Sequence, residues 1–170
     1  MKNFYSYVMV YTVSTMLLTA CEDGSNSYQP PVKILAELDD STVYTKLFRF
    51  RVGARNWERV SSSDRYVEIS LAEINEEVLK EGSVIIYLNE AGKNIALPFT
   101  YYQVRRAISF QPSYEKGKAY INILGNFILS TGTSYNFRLL IVNGKGLRRF
   151  KTLNWYNFDE VQCILSSRKK

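Results

Sequence analysis

The sequence predicts a mainly β protein: an antiparallel β-sandwich, Ig-like in its general architecture, with one or two short α-helices. From residue 32 onward, apolar and polar residues alternate with a period of two, which is typical of half-buried strands. The strands are short and separated by turn-forming residues, a spacing typical of antiparallel sandwiches. The chain has 170 residues, 46% hydrophobic and 14% aromatic, which is enough apolar material for one core.

The strands can be placed along the chain from this alternation. In the strand predicted over Val43–Val52, Phe48 and Phe50 fall on one face, and Leu47 lies with the arginines on the other, wet face. Ser83–Asn89 is apolar on both faces, as expected of a central strand. Pro98 lacks a backbone donor, so it indicates a sheet edge or a bulge. Further strands are predicted over 95–101, 107–110, 119–124 and 135–142, with turns at 90–93, 112–117 and 143–146.

Two helices are predicted to interrupt the strands. The first begins at a capping box formed by Ser70 and Glu73 and ends at Gly82, which suits a left-handed stop. The second begins at Asn157, and Phe158 and Leu165 fall on its apolar stripe together with the valine between them.

The first twenty residues predict a secretory signal peptide. One lysine precedes an apolar stretch from Phe4 to Leu18, and small residues follow before Cys21. The run Leu18-Thr19-Ala20-Cys21 resembles the lipobox of bacterial lipoproteins, in which the cysteine sulfur receives a diacylglycerol and becomes the acylated N-terminus. An ordinary signal peptide or a membrane anchor with a coincidental cysteine is the alternative. We expect residues 1–20 to be removed, residues 21–31 to form a lipidated tether, and residues 32–170 to form a single β-rich domain.

The lipobox also bears on the second cysteine and on location. With Cys21 acylated, Cys163 has no partner within the chain, and its apolar neighbours favour burial over pairing between chains.

The pair Glu22-Asp23 resembles a signal that exports some lipoproteins to the outer face of the cell, but incidental linker charge explains it equally well. We therefore expect a lipid-anchored protein of the cell envelope and outer membrane, on either its periplasmic or its surface-facing side.

Several short motifs spread over residues 42–165 resemble one family. They are Phe48–Arg51 with Trp57, Ile69–Ile74, Glu77–Leu79, Gly82, Val84–Leu88, Leu97–Tyr101, Tyr135–Val142 and Asn157–Val161. Together they resemble a family of small lipoproteins abundant in Bacteroidota-type Gram-negative bacteria. The resemblance implies an envelope location and a β-rich fold, and no catalytic residue accompanies its motifs. This chain carries Lys93–Ala96 where the family often places a tryptophan before the Leu-Pro pair.

The composition excludes several kinds of chemistry. The chain has no histidine, which excludes Ser-His-Asp and Cys-His nucleophiles and removes the commonest metal ligand. The acid pairs Asp39-Asp40, Glu76-Glu77 and Asp159-Glu160 are adjacent in sequence, so the two side chains of each pair point in different directions. No calcium loop and no glycine-rich phosphate loop is present. The sequence therefore predicts no enzyme activity, no cofactor and no metal site.

Two sets of residues remain as candidate binding sites. Trp57, Tyr101, Tyr102 and Trp155 are candidates for stacking on a glycan or a peptide, with core packing as the alternative. Arg148, Arg149 and Lys151 lie in a basic C-terminal stretch that could meet anionic lipid headgroups or acidic glycans, with a solvated face as the alternative. Nucleic acid is not expected as a partner, because the signal peptide places the protein outside the cytosol.

The function expected from these observations is that of a membrane-anchored envelope lipoprotein acting as a non-enzymatic binding or interaction module, with a glycan or a protein as partner. One alternative is a structural or accessory subunit of an outer-membrane or fimbrial complex, for which an unpaired edge strand would be the sign. Another is an envelope immunity or inhibitor protein, which would show a tight one-to-one partner.

Overall fold

The computed structural model describes residues 31–40, 45–128 and 134–166. The predicted signal peptide, Cys21 and the tether up to residue 30 lie outside the described residues, as do the last four residues of the chain. Among the described helices, none is both long and apolar enough to cross a membrane.

Two antiparallel five-stranded sheets make up the fold of the described residues. In chain order the strands are β1 (Ile34–Asp40), β2 (Thr45–Val52), β3 (Glu58–Arg59), β4 (Asp64–Ser70), β5 (Ser83–Glu90), β6 (Lys93–Ala96), β7 (Phe99–Gln103), β8 (Arg106–Glu115), β9 (Lys118–Gly125) and β10 (Tyr135–Val142). The first sheet has the order β1-β2-β10-β5-β6, and the second has the order β3-β4-β9-β8-β7.

The two sheets pack face to face through one apolar layer. The first sheet contributes Phe48 and Phe50 of β2 and Phe137 of β10 to this layer. The second sheet contributes Phe110 and Ile121. The rings of Phe50 and Phe137 stack with centroids 5.8 Å apart. This shared core confirms the predicted antiparallel β-sandwich.

The described residues also form three α-helices and one short 3-10 helix (Ala54–Asn56). The α-helices are α1 (Glu76–Glu81), α2 (Gly144–Arg149) and α3 (Phe158–Ser166). The stripe predicted for α3 is confirmed, since Phe158 and Leu165 are buried against the outer face of the first sheet.

Leu47, which the alternation placed on the wet face of β2, is buried under this helix, so that prediction was wrong for Leu47. The outer face of the second sheet carries exposed side chains such as Glu68 and Gln111.

The single strand predicted over residues 95–101 is in fact two strands in different sheets. The chain leaves the first sheet at Ala96, passes through a cis Leu97–Pro98 peptide bond, and joins the second sheet at Phe99. Both β6 and β7 lie at sheet edges, which agrees with the edge that Pro98 predicted.

The turn predicted from Pro112 to Gly117 is also wrong in extent, because β8 continues to Glu115. Strand β7 pairs with β8 only over residues 106–110, so Pro112 has a strand neighbour only on its β9 side. A proline without an N–H is tolerated at such a half-open position.

The helix starts differ from the predicted ones. Ser70 is the last residue of β4, and the cap of α1 is Asn75, whose side-chain oxygen accepts a hydrogen bond from the N–H of Val78 at 2.9 Å. Gly82 ends α1 in an extended conformation rather than a left-handed one. A Cβ there would lie 2.5 Å from the carbonyl oxygen of Val142, so this position needs glycine because two backbone segments approach closely.

The turn predicted at residues 143–146 is the start of α2. Asn143 caps that helix, accepting a hydrogen bond from the N–H of Gly146 at 3.0 Å. The predicted start of α3 is confirmed: the Asn157 side chain accepts from the N–H of Asp159 at 3.2 Å and donates to Glu160 at 2.9 Å.

Candidate functional site

The two tryptophans that were predicted as candidates for ligand stacking are interior residues. Trp57 is 7% exposed, and its ring meets those of Tyr135 and Phe137 edge-on. Trp155 is 9% exposed and packs edge-on against Phe150 with centroids 6.3 Å apart. Neither ring presents a face to solvent, so the structure assigns both to packing rather than to a surface binding site.

The two tyrosines of the same set are at the surface of β7. Tyr102 is 78% exposed and Tyr101 is partly exposed. Because they are neighbours in a strand, their side chains point to opposite faces of the sheet. Two rings placed this way do not form one continuous stacking platform for a ligand.

The turn after β7 adds exposed apolar and basic side chains that the sequence pattern did not indicate. Val104 is 95% exposed and Ile128 is 76% exposed. Arg105 has a positive φ of 64° in the turn, and the guanidinium of Arg106 lies 5.0 Å from the ring centroid of Phe127. Neither arginine forms an ion pair within the described part of the chain. We call Tyr101, Tyr102, Val104, Arg105, Arg106 and Ile128 the β7–β8 tip.

The segment from residue 126 to 128 is held against this turn by Asn126. Its side chain accepts a hydrogen bond from the N–H of Ala107 at 2.8 Å and donates to the carbonyl of Arg105 at 3.2 Å. An apolar residue in a two-residue turn was the one sequence signal that could have pointed to Val104. Ile128 belongs to the β7–β8 tip because Asn126 hydrogen-bonds to the turn. These are long-range contacts that the sequence does not reveal.

Strand β7 is an edge strand. It pairs with β8 from Phe99↔Phe110 to Gln103↔Arg106, and no other described strand pairs with it. The opposite edge of β7 therefore presents backbone N–H and C=O groups that no described strand satisfies, which is the geometry that accepts an added strand.

The predicted basic set lies around the end of α2, and two of its members have contacts within the fold. Arg148 reaches Glu81 at 3.5 Å, and the guanidinium of Arg149 lies 5.7 Å from the ring centroid of Phe150. Lys151 is exposed. Cations at a helix C-terminus also interact favourably with the helix dipole, so these residues have a structural role beside any contact with an anion.

Cys163 is exposed, which corrects the expectation that it is buried. Helix α3 turns Val161 and Leu165 toward the sheet, and a residue two positions after Val161 lies on the opposite side of the helix. The apolar neighbours in sequence were therefore a misleading signal.

The acidic pairs whose side chains the structure describes are at the surface in the first turns of helices. Glu76 forms an ion pair with Lys116 at 2.8 Å, and Glu160 accepts hydrogen bonds near the cap of α3. Over the ranges that the structure describes, no group of three or more aspartate, glutamate or cysteine residues is arranged to hold a metal ion.

Comparison of the chain with protein-family models, curated proteins and solved structures gives no match.

Proposed function

We propose that this protein is a lipid-anchored envelope protein that acts as a non-enzymatic protein-interaction module, and that a partner docks on the β7–β8 tip and along the edge of β7. The main support for this proposal is that one edge of β7 pairs with no described strand. Exposed side chains of the β7–β8 tip lie beside that edge. Aromatic and arginine side chains are the ones that most often anchor protein interfaces.

A protein partner fits this surface better than a glycan does. An extended peptide can pair with the unoccupied backbone groups of β7, and its side chains can then contact Tyr102 or Val104. Glycan stacking would need aromatic rings on a common face, whereas Tyr101 and Tyr102 lie on opposite faces of the sheet.

The same edge also supports the alternative of a structural or accessory subunit. In that case the strand added to β7 comes from another subunit of the complex or from a second copy of this chain. The identity of the docked chain therefore separates the two functions.

Photocrosslinking in the envelope tests the docking surface. A photoreactive amino acid replaces Tyr102 in the full chain, and the matched control replaces Tyr156, which is also well exposed but lies beside α3. We expect an adduct of defined mass from position 102 and none from position 156. Addition of Val104→Asp should weaken the position-102 adduct, because an acidic group replaces an apolar contact.

Each result has a distinct meaning. A one-to-one adduct with another protein supports the interaction module, and an adduct with a second copy supports the structural subunit. Equal crosslinking at both positions, or none at position 102, would contradict docking at this surface.

Membrane fractionation tests the anchor separately. We expect the wild-type chain to sediment with the membrane and Cys21→Ala to lose that attachment. Equal membrane attachment of both chains would overturn the lipobox interpretation.

A further inference from the structure

Two arginines face each other on the outer side of the first sheet. Arg49 of β2 and Arg138 of β10 are direct register partners. Both point away from the core, because the residues next to them in each strand, such as Phe50 and Phe137, point inward. Like charges directly opposite each other destabilise a strand pair, so the arrangement needs an explanation.

Neither arginine forms an ion pair within the described residues. Burial and then the charge of Arg49 lower the pKa of Arg138, and the carboxylate of Asp159 opposes this shift. The Arg138 guanidinium nevertheless stays charged, because arginine does not lose its proton in proteins.

A cavity of about 130 Å³ opens beside the two arginines, between the first sheet and α3. Leu47, Phe158 and Leu165 form its apolar lining, and Gln162 and Ser166 add two polar side chains. Since one water molecule occupies about 30 Å³, the cavity has room for roughly four waters or a small organic molecule.

Arg138 lines this cavity and contacts α3 through the ring of Phe158. Its guanidinium carbon lies 4.5 Å from the ring centroid of Phe158, a cation–π contact. The N–H groups lie in the plane of the guanidinium, and this planar set matches the two oxygens of a carboxylate.

We propose that this cavity binds a small organic carboxylate. The carboxylate group lies between Arg49 and Arg138 and offsets their repulsion. The short apolar body of the ligand packs against Leu47, Phe158 and Leu165. This site is separate from the β7–β8 tip and does not depend on the proposed anchor or on the protein partner.

Thermal unfolding of the full chain in a neutral detergent tests this site. The signal is tryptophan fluorescence, because Trp155 lies in the apolar layer between α3 and the first sheet. The probes are sodium acetate, butyrate and hexanoate, with inorganic phosphate and sodium chloride at matched ionic strength. We expect a saturable rise in the unfolding temperature with butyrate, a smaller one with acetate, and none with chloride.

The variants R49Q and R138Q should bind butyrate at least tenfold more weakly by calorimetry. R138K should be intermediate, because it retains the charge but loses the planar set of donors. R51Q is the matched control: Arg51 lies two residues along β2 on the same face and does not line the cavity. It should bind like the wild type.

Three results would overturn the proposal. The first is the absence of saturable binding by any of the carboxylates. The second is undiminished binding by both R49Q and R138Q. The third is phosphate binding as tightly as butyrate, because the apolar lining would then contribute nothing. R49Q alters an exposed side chain and should stay folded, so the test does not depend on the stability of R138Q.

Discussion

Tyr87 lies in the middle of the apolar layer between the first sheet and α3. Its side chain is fully buried, its ring meets that of Phe158 edge-on at 4.9 Å, and its hydroxyl donates a hydrogen bond to the carbonyl of Trp155. Burial raises the pKa of Tyr87 well above the usual value near 10, because the ionised phenolate would lose its hydration.

This burial predicts a loss of stability at alkaline pH. Above about pH 10 the unfolded chain releases the Tyr87 proton while the folded chain retains it, so the free energy of unfolding falls as the pH rises. Tyr87→Phe should reduce that slope, at a cost of about 1 kcal/mol at neutral pH from the lost hydrogen bond. Urea unfolding between pH 8 and pH 11 measures both effects.

Some of the alkaline slope should remain in the variant. A hydrogen bond to Glu58 raises the pKa of Tyr66 to about 12, and burial raises the pKa of Tyr114. An identical slope in the wild type and in Tyr87→Phe would show that Tyr87 does not couple ionisation to folding.

At the scale of elements, α1 and α2 depend on side-chain caps and packing. Each has six residues, too few to be stable alone. Asn75 caps α1 and Asn143 caps α2. The sequence also offered Ser70 and Glu73 as a capping box, but the backbone of Ser70 is paired with Lys118 of β9 and belongs to a strand.

The cap of α1 gives a prediction with a built-in control. Asn75→Ala should lower the free energy of unfolding by about 1 kcal/mol, because the N–H of Val78 loses its acceptor. Ser70→Ala should change it by less than about 0.5 kcal/mol, because Ser70 is an exposed position at the end of β4. Chemical denaturation of both variants checks this. A larger loss in Ser70→Ala would place the functional cap at the position that the sequence pattern favoured.

At the scale of the whole molecule, the two sheets present different outer surfaces. Helix α3 packs on the outer face of the first sheet. The cavity beside Arg49 and Arg138 opens between that sheet and α3. The second sheet has exposed side chains on its outer face and ends in the β7–β8 tip. The two proposed binding surfaces therefore belong to different sheets and can be tested independently.

The exposed face of α3 predicts a reactive thiol. Cys163 in the folded full chain should react with a maleimide without denaturant, because its side chain is exposed. Cys163→Ser is the control that assigns the label, and it should leave the unfolding temperature unchanged. Mass spectrometry of the native protein measures the labelling. Modification only after denaturation would contradict the described orientation of α3.

The local pattern of the sequence determined the β-sandwich, the inward faces of β2 and β10 and the apolar stripe of α3, because alternation follows directly from backbone geometry. The lipobox and the anchor remain predictions. Only the tertiary structure decided that Trp57 is buried, that Cys163 is exposed and that Arg49 meets Arg138. Each of these depends on which element covers a face or pairs with a strand far away in the chain. Local periodicity carries no information about those long-range contacts.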